Sequence, residues 1–209
     1  MHNEARAIQR GPFSFFMERT KLANSLLKDV TWRAMTAYDL GAVEDIAGTV
    51  HPGFYEAPEI LAERQSLYRN GCYLLEIGEK PAGYVLSHPW RDTPPALNTP
   101  LGELPADAST YYLHDLALLP VARRVGAAGR IVEALIKHAT AQGFASMTLI
   151  AVNGSQSFWE RHGFAVADRP ELGAKLESYE PSAKLMVRPL KPVAGAPTSS
   201  LRARLAPAR

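Results

Sequence analysis

LHDLALLPVARRVGAAGRIVEALIKHA, residues 113–139, is the stretch that decides the fold. The apolar run 111–119 reads as a strand, and Pro120 ends it because proline supplies no ladder donor. Ile131, Ala134, Leu135, His138 and Ala139 recur at helical spacing, and Gly143 closes that helix. A second strong strand follows at 147–152. Strand, helix, strand in this order is a parallel, right-handed unit. Between strand and helix lies a turn of Arg123, Arg124, Val125, Gly126, Ala127, Ala128 and Gly129. Small residues there let a ligand approach the backbone. The first N–H groups of a helix lack partners, and the helix dipole adds positive potential. The turn is therefore a phosphate-type anion site, to which Arg123, Arg124 and Arg130 add charge. Neither G-x-x-x-x-G-K-[ST] nor G-x-G-x-x-G occurs, which argues against an NTPase or a dinucleotide enzyme.

Upstream, 31–35 reads as a strand. Thr36-x-x-Asp39 starts a helix carrying Leu40, Val43, Ile46, Ala47 and Val50, stopped by His51-Pro52-Gly53. Pro58 opens a second helix that ends near Asn70-Gly71. Strand-like runs 72–77 and 82–87, joined by Gly78-Glu79-Lys80-Pro81, predict an antiparallel hairpin. Residues 89–110 are too polar for core and read as an excursion. Downstream come a short helix at 155–162, ended by Gly163-Phe164, and weaker strands at 164–167 and 183–190. The expected fold is α/β, a mixed, mostly antiparallel central sheet with helices on both faces.

The 209 residues are 46% hydrophobic and 21% charged, which excludes a wholly disordered chain or a coiled coil. No apolar run approaches the roughly 20 residues a membrane-spanning helix needs. Residues 31–190 carry a net charge of −4, while 1–30 carry +2 and 191–209 carry +4. A mildly acidic body argues against a broad nucleic-acid face. The division expected is an N-terminal extension 1–30, a catalytic domain 31–190 and a disordered basic tail 191–209. The single cysteine, Cys72, excludes an internal disulfide and reads as buried and inert. Cytoplasmic location is the default expectation. No cluster has metal-ligand spacing, so no metal is expected.

Two blocks together resemble the GCN5-related N-acetyltransferase (GNAT) superfamily. One is Pro120-x-x-Arg123-x-x-Gly126-x-Ala128 with its amphipathic helix. The other is Val152-Asn153-Gly154-Ser155-Gln156-Ser157-Phe158-Trp159-Glu160-Arg161-His162-Gly163-Phe164. The resemblance implies that the two central parallel strands splay apart and admit the pantetheine arm of acetyl-CoA. It implies pyrophosphate binding at Arg124, Val125, Gly126, Ala127, Ala128 and Gly129, with Arg123 beside it. It further implies pantetheine contacts from the backbone of Leu116, Ala117 and Leu118 and from Asn153. Transfer is expected to pass directly from thioester to a primary amine of a small molecule or a protein N-terminus. The chain departs from the family pattern in Arg124 and Ala128, where glycine is common. It also departs at Trp159, where a tyrosine often protonates the leaving thiolate. An indole N–H donates a hydrogen bond but is no practical acid; Ser155, Ser157 or water then remain to meet the thiolate.

An acceptor ammonium must lose a proton before attack. His114 and Asp115 are an ionisable pair inside an apolar strand; as neighbours they are expected to point to opposite faces, so that only one faces the acyl gap. His114 is the expected base, because histidine titrates near neutrality, and Asp115 the orienting partner. Glu56, after Phe54-Tyr55, is the next candidate, in a loop that the resemblance places at the acceptor site. His88 and Trp90 are expected at the edge of the same cleft. Tyr111 and Tyr112 read as core or sheet aromatics, and His138 as a partly exposed helix residue. Two other readings stay open on the sequence: a CoA-binding module without turnover, favoured by Trp159, and an interaction protein whose basic tails contact ribosome or RNA. The tail lacks a periodic apolar face. Truncation after Leu190 should therefore leave the thermal midpoint unchanged; in a melting experiment, a drop above about 5 °C, roughly 2 kcal/mol, would show that the tail docks.

Overall fold

The computed structural model describes residues 30–191. The expected extension and the basic tail beyond Lys191 lie outside the described residues. One seven-stranded sheet runs in the order β1-β2-β3-β4-β5-β7-β6. The strands are β1 (Val30–Ala34), β2 (Tyr73–Ile77), β3 (Lys80–Trp90), β4 (Thr110–Leu118), β5 (Ser146–Ala151), β6 (Ala165–Val166) and β7 (Lys184–Pro189). β4 and β5 are parallel, and every other neighbouring pair is antiparallel. The helices are α1 (Leu40–Val50), α2 (Pro58–Leu67), α3 (Ala127–Ala141), α4 (Gln156–Arg161) and α5 (Gly173–Glu177). The mixed sheet expected from the sequence is the one observed.

Strand alternation sorts the core to two faces. Tyr84 and Leu86 pack with Leu74 and Ala117 under Val43, Ile46 and Leu61 of α1 and α2. Val85, Tyr111 and Leu113 pack with Met147 and Leu149 under Ile131, Val132 and Leu135 of α3. The start of α1 is tied to β1 by charge. Asp39 accepts the Thr36 N–H at 2.7 Å and a two-pronged Arg33 guanidinium at 2.8 and 2.7 Å. The Arg33 bonds outweigh burial and hold the Asp39 carboxyl well below its usual range.

Three details differ from the expectation. The hairpin turn is only Gly78-Glu79, both with positive φ, so β3 begins already at Lys80. β3 also runs on through Pro89 to Trp90. Proline is tolerated there because β2 pairs with β3 only as far as Val85, which leaves the outer edge without a ladder to break. The excursion is thus shorter than expected, 91–109. α5 was not expected, since five residues are too few to show a helical period.

Gly71 marks a close backbone approach. A Cβ there would stand 2.0 Å from the Ser87 carbonyl oxygen and 2.7 Å from the Tyr111 hydroxyl. Backbone on one side and a fully buried tyrosine on the other leave nothing that can swing away. Gly71→Ala should cost about 2 kcal/mol, seen as a fall of about 6 °C in the thermal midpoint. An unchanged midpoint would refute that packing.

Candidate active site

β4 and β5 pair only at Tyr111–Met147 and Tyr112–Thr148. Beyond Tyr112 the β5-facing edge of β4 has no strand partner, while β3 and β7 continue to hold the two strands. A cavity of about 430 Å³ opens in the gap. Leu116 and Leu118 line it from β4, and Leu149 and Ile150 from β5.

A bulge directs the ionisable residues of β4. The β3–β4 register moves from Ser87–Leu113 to Leu86–Asp115, so His114 is the extra residue. Two residues then oppose one, and the alternation is reset. The expectation that His114 and Asp115 face opposite sides is therefore overturned. Both lie on the α1–α2 side, and both line the cavity.

Each belongs to its own pair. Nε2 of His114 stands 2.7 Å from Oε2 of Glu56, and both side chains are buried. Burial alone would raise the Glu56 carboxyl; the charge and hydrogen bond of His114 overrule it and hold it below its ordinary value. A carboxylate only accepts, so Nε2 of His114 carries the proton and donates it. Nδ1 of His114 is buried and has no hydrogen-bond partner among the described residues; in the neutral ring it holds the lone pair. Asp115 meets His51 instead, Oδ1 to Nε2 at 3.1 Å, and its Oδ2 accepts the Tyr84 hydroxyl. Burial pushes the Asp115 carboxyl up, but the His51 and Tyr84 contacts leave it below its usual range. His51 in turn is 3.2 Å from the Asn153 amide, Nδ1 to Nδ2. The carboxylate that meets His114 is therefore Glu56, whereas Asp115, expected beside it as a partner, meets His51.

The anion turn stands at the other end of the cavity. Gly126 caps α3 with φ of 74°, and a Cβ there would meet nothing within 4 Å. The first helical N–H with an acceptor is that of Arg130, to Gly126 at 3.2 Å, so the donors ahead of it are open, as at any helix start. Arg123 and Ala128 line the cavity. Arg123 also donates to Leu118 O at 3.2 Å. Arg124 takes a positive φ of 66°. The Arg130 guanidinium folds back toward Val125 and Val30. Val125 packs beside Ala127, whose carbonyl accepts the Trp32 indole N–H at 2.9 Å. Gly129 abuts the His162 ring, 3.3 Å from where a Cβ would lie. Ala117 turns away into the α1–α2 core. Asn153, Ser155 and Trp159 line the cavity opposite, with the Trp159 indole donating to Ser155 Oγ at 3.1 Å. Open donors, empty space at Gly126 and a strand edge without partner fit a long phosphorylated thioester.

His88 does not edge the cleft. It is buried behind His114, ring centroids 6.0 Å apart, and burial with the His114 charge pushes it down to about 3. Trp90 lies at a separate surface depression with Arg91 and Asp107. His138 is tied to the Tyr68 hydroxyl at 2.7 Å. Cys72 is fully buried, its thiol pushed by burial up to about 12. His51, Tyr84, Tyr112 and Tyr179 were not singled out for the site. His51 read only as a helix stop; a titratable residue at the end of α1, in the same loop as Glu56, was the available signal.

The sequence profile of the acetyltransferase (GNAT) family matches residues 40–164. The chain belongs to that family. It is an acyl-CoA-dependent N-acyltransferase, an N-acetyltransferase by family. Solved GNAT structures share its fold. Ard1 from Thermoplasma volcanium superposes with a TM-score of 0.62 at 15% identity, over 78% of this chain and 99% of that one. The ribosomal-protein-S18-alanine N-acetyltransferase from Escherichia coli gives 0.58 at 19%, over 81% and 99%. The N-acetylglutamate synthase from Neisseria gonorrhoeae, complexed with coenzyme A and N-acetyl-glutamate, gives 0.57 at 19%; this chain covers 35% of it, and 78% of this chain is matched. No curated protein matches the chain by sequence. Among the described residues, no helix is long and apolar enough to cross a membrane.

The depressed Asp115 carboxyl makes a prediction about this GNAT domain. A carboxyl held low adds stability that is complete above its unfolded value, about 3.9, and is lost as pH falls through the lower folded value. Urea midpoints of wild type and Asp115→Asn should differ most near pH 6 and converge toward pH 3. A difference that stays constant over that range would contradict the assignment.

Proposed function

We propose that the protein transfers an acetyl group from acetyl-CoA to a primary amine of a small molecule or protein N-terminus by direct attack in a ternary complex. The observation that carries this reading is His114, oriented by Glu56 with Nδ1 unpartnered, in a cavity that ends at the open turn before α3. Residues 123–129 hold the pyrophosphate, the edge at Leu116 to Leu118 meets the pantetheine amides, and Asn153 completes the arm's contacts. His114 removes the ammonium proton, directly or through water. The amine lone pair forms the C–N bond at the thioester carbonyl. The C–S bond then breaks, and the amine's second proton passes, directly or through water, to the departing CoA thiolate. A thiolate is a tolerable leaving group, because a thiol's ordinary pKa is about 8.5. Ser155 accepts the Trp159 N–H and so keeps its own proton to donate, which supports turnover despite the missing tyrosine. We place this activity in residues 31–190, in the cytoplasm, and assign no metal to it.

An amine-panel assay of thiol release from acetyl-CoA tests turnover and acceptor together. His114→Gln should lower kcat/KM at least about 100-fold and flatten the acidic limb of the pH–rate profile, with acetyl-CoA binding little changed. Retention of a third of the activity with the limb intact would remove His114 as base. Gly126→Glu puts a side chain and a negative charge into the open cradle. Calorimetry should show acetyl-CoA affinity lowered on the order of 100-fold, about 2.7 kcal/mol. Unchanged affinity in the folded variant would remove the turn as the pyrophosphate site.

A further inference from the structure

We propose that His51 positions the Asn153 amide for the donor's pantetheine arm, and that the protonation state of His51 decides which end of that amide the arm meets. The proposal rests on the reading of the cavity as the acyl-CoA site.

Four side chains form a line from one lip of the gap to the other. The Tyr84 hydroxyl on β3 donates to Asp115 on β4. Asp115 stands 3.1 Å from Nε2 of His51, the residue that caps α1. Nδ1 of His51 stands 3.2 Å from Nδ2 of Asn153, just beyond β5. The line bridges the strands where their own pairing has stopped.

The backbone of Asn153 is held in place, and its side chain lies exposed at the lip of the cavity. The residue sits at a φ of 53°, its N–H donates to Glu180 Oε1 at 3.0 Å, and Gly154 follows at 66°. What remains is the orientation of the amide, donor end or acceptor end toward the cavity. Asp115 settles it while His51 is neutral. The negative Asp115 carboxylate, 3.1 Å from Nε2 as a charge contact and not aligned as a hydrogen bond, favours the tautomer with the hydrogen on Nε2, which leaves Nδ1 bare. Nδ1 then takes an N–H of Asn153, and Oδ1 is left to accept an amide N–H of the arm. A protonated His51 donates from Nδ1. Asn153 must then turn its Oδ1 toward His51, or leave donor against donor, and its acceptor is lost to the arm.

The groups around His51 place this change above the ordinary imidazole value. Asp115 faces it from β4, with Tyr84 of β3 behind the carboxylate. Arg123 faces it from the turn after β4, Asn153 from beyond the end of β5, and the Phe54 ring edge from the loop after α1; Glu180, before β7, meets the Asn153 backbone N–H. His114 and Glu56 lie one residue away on β4 and across the cavity. Burial lowers the imidazole, the Asp115 contact and charge raise it, and Arg123 lowers it; the balance lies above the ordinary 6.5. With His51 neutral, Asn153 meets the arm through its Oδ1, so donor affinity should rise as pH rises and His51 loses its proton.

The test is calorimetry with CoA on the full chain from pH 6 to 9, comparing wild type with His51→Gln and His51→Phe. Differences between proteins at one pH cancel the titration of CoA's own phosphates. The Gln carbonyl accepts from Asn153 and does not titrate. His51→Gln should keep the tight binding of wild type at pH 9 and hold it down to pH 6, where wild type weakens about tenfold. His51→Phe should bind about tenfold more weakly than wild type at pH 9, with no dependence on pH relative to Gln. Variants that follow the wild-type affinity and its pH dependence would overturn the proposal while leaving the donor site in place. A wild type that binds no CoA would overturn the donor site itself, and the proposal with it. Should the Phe variant fail to fold, the Gln profile alone decides.

Discussion

The site depends on two parallel strands that pair for two residues and then part. A parallel pair in mid-sheet has no reason to open by itself, since each lost ladder bond leaves backbone groups without partners. Here the opening is held from outside. β4 remains registered on β3 along its length, and β5 on β7 through all six of its residues. The bulge at His114 lies just beyond the last β4–β5 pair and supplies a local bend in β4. The same parting brings the free edge of β4, the start of α3 and the residues after β5 around one cavity.

The bulge also concentrates charge. It puts two adjacent ionisable residues on one face, which would be costly without partners for both. Each has one: Glu56 reaches His114 from the loop after α1, and His51 reaches Asp115 from the end of α1 itself. Loss of either partner leaves a buried charge or donor behind, so these pairs are coupled to the packing of α1 on the sheet.

The polar excursion 91–109 adds Leu97 to the cavity lining, and charged side chains of α2 fasten it. Glu63 on α2 accepts the N–H groups of Leu101 and Gly102, and the fully buried Arg64 donates to Thr99 O at 2.7 Å. Glu56 accepts the Asn98 N–H at 3.2 Å, so one carboxylate holds both the wall and His114. From the far side Tyr179 donates to Pro95 O at 3.1 Å, and burial pushes its hydroxyl up to about 12. This part of the cavity wall is set by a long loop, whose conformation local pattern does not determine.

Local chemistry was enough for much of this protein. Period-2 and period-3.6 patterning, Pro58, Pro120, Gly143 and the Thr36–Asp39 box specify the elements and their order, because those signals act within a few residues. The small-residue turn before α3 was legible for the same reason: a helix start carries open donors whatever surrounds it. Three-dimensional packing decided the rest. No pattern in 111–119 announces that His114 is an inserted residue, since a bulge exists only relative to the partner strand. The partners of the two ionisable residues lie in the loop and helix end before α2, far off in sequence. That is why Asp115 read as the orienter of His114, and why His51 read only as the end of a helix. Which polar groups meet depends on how α1 lies across the parted strands, and only the folded chain determines that.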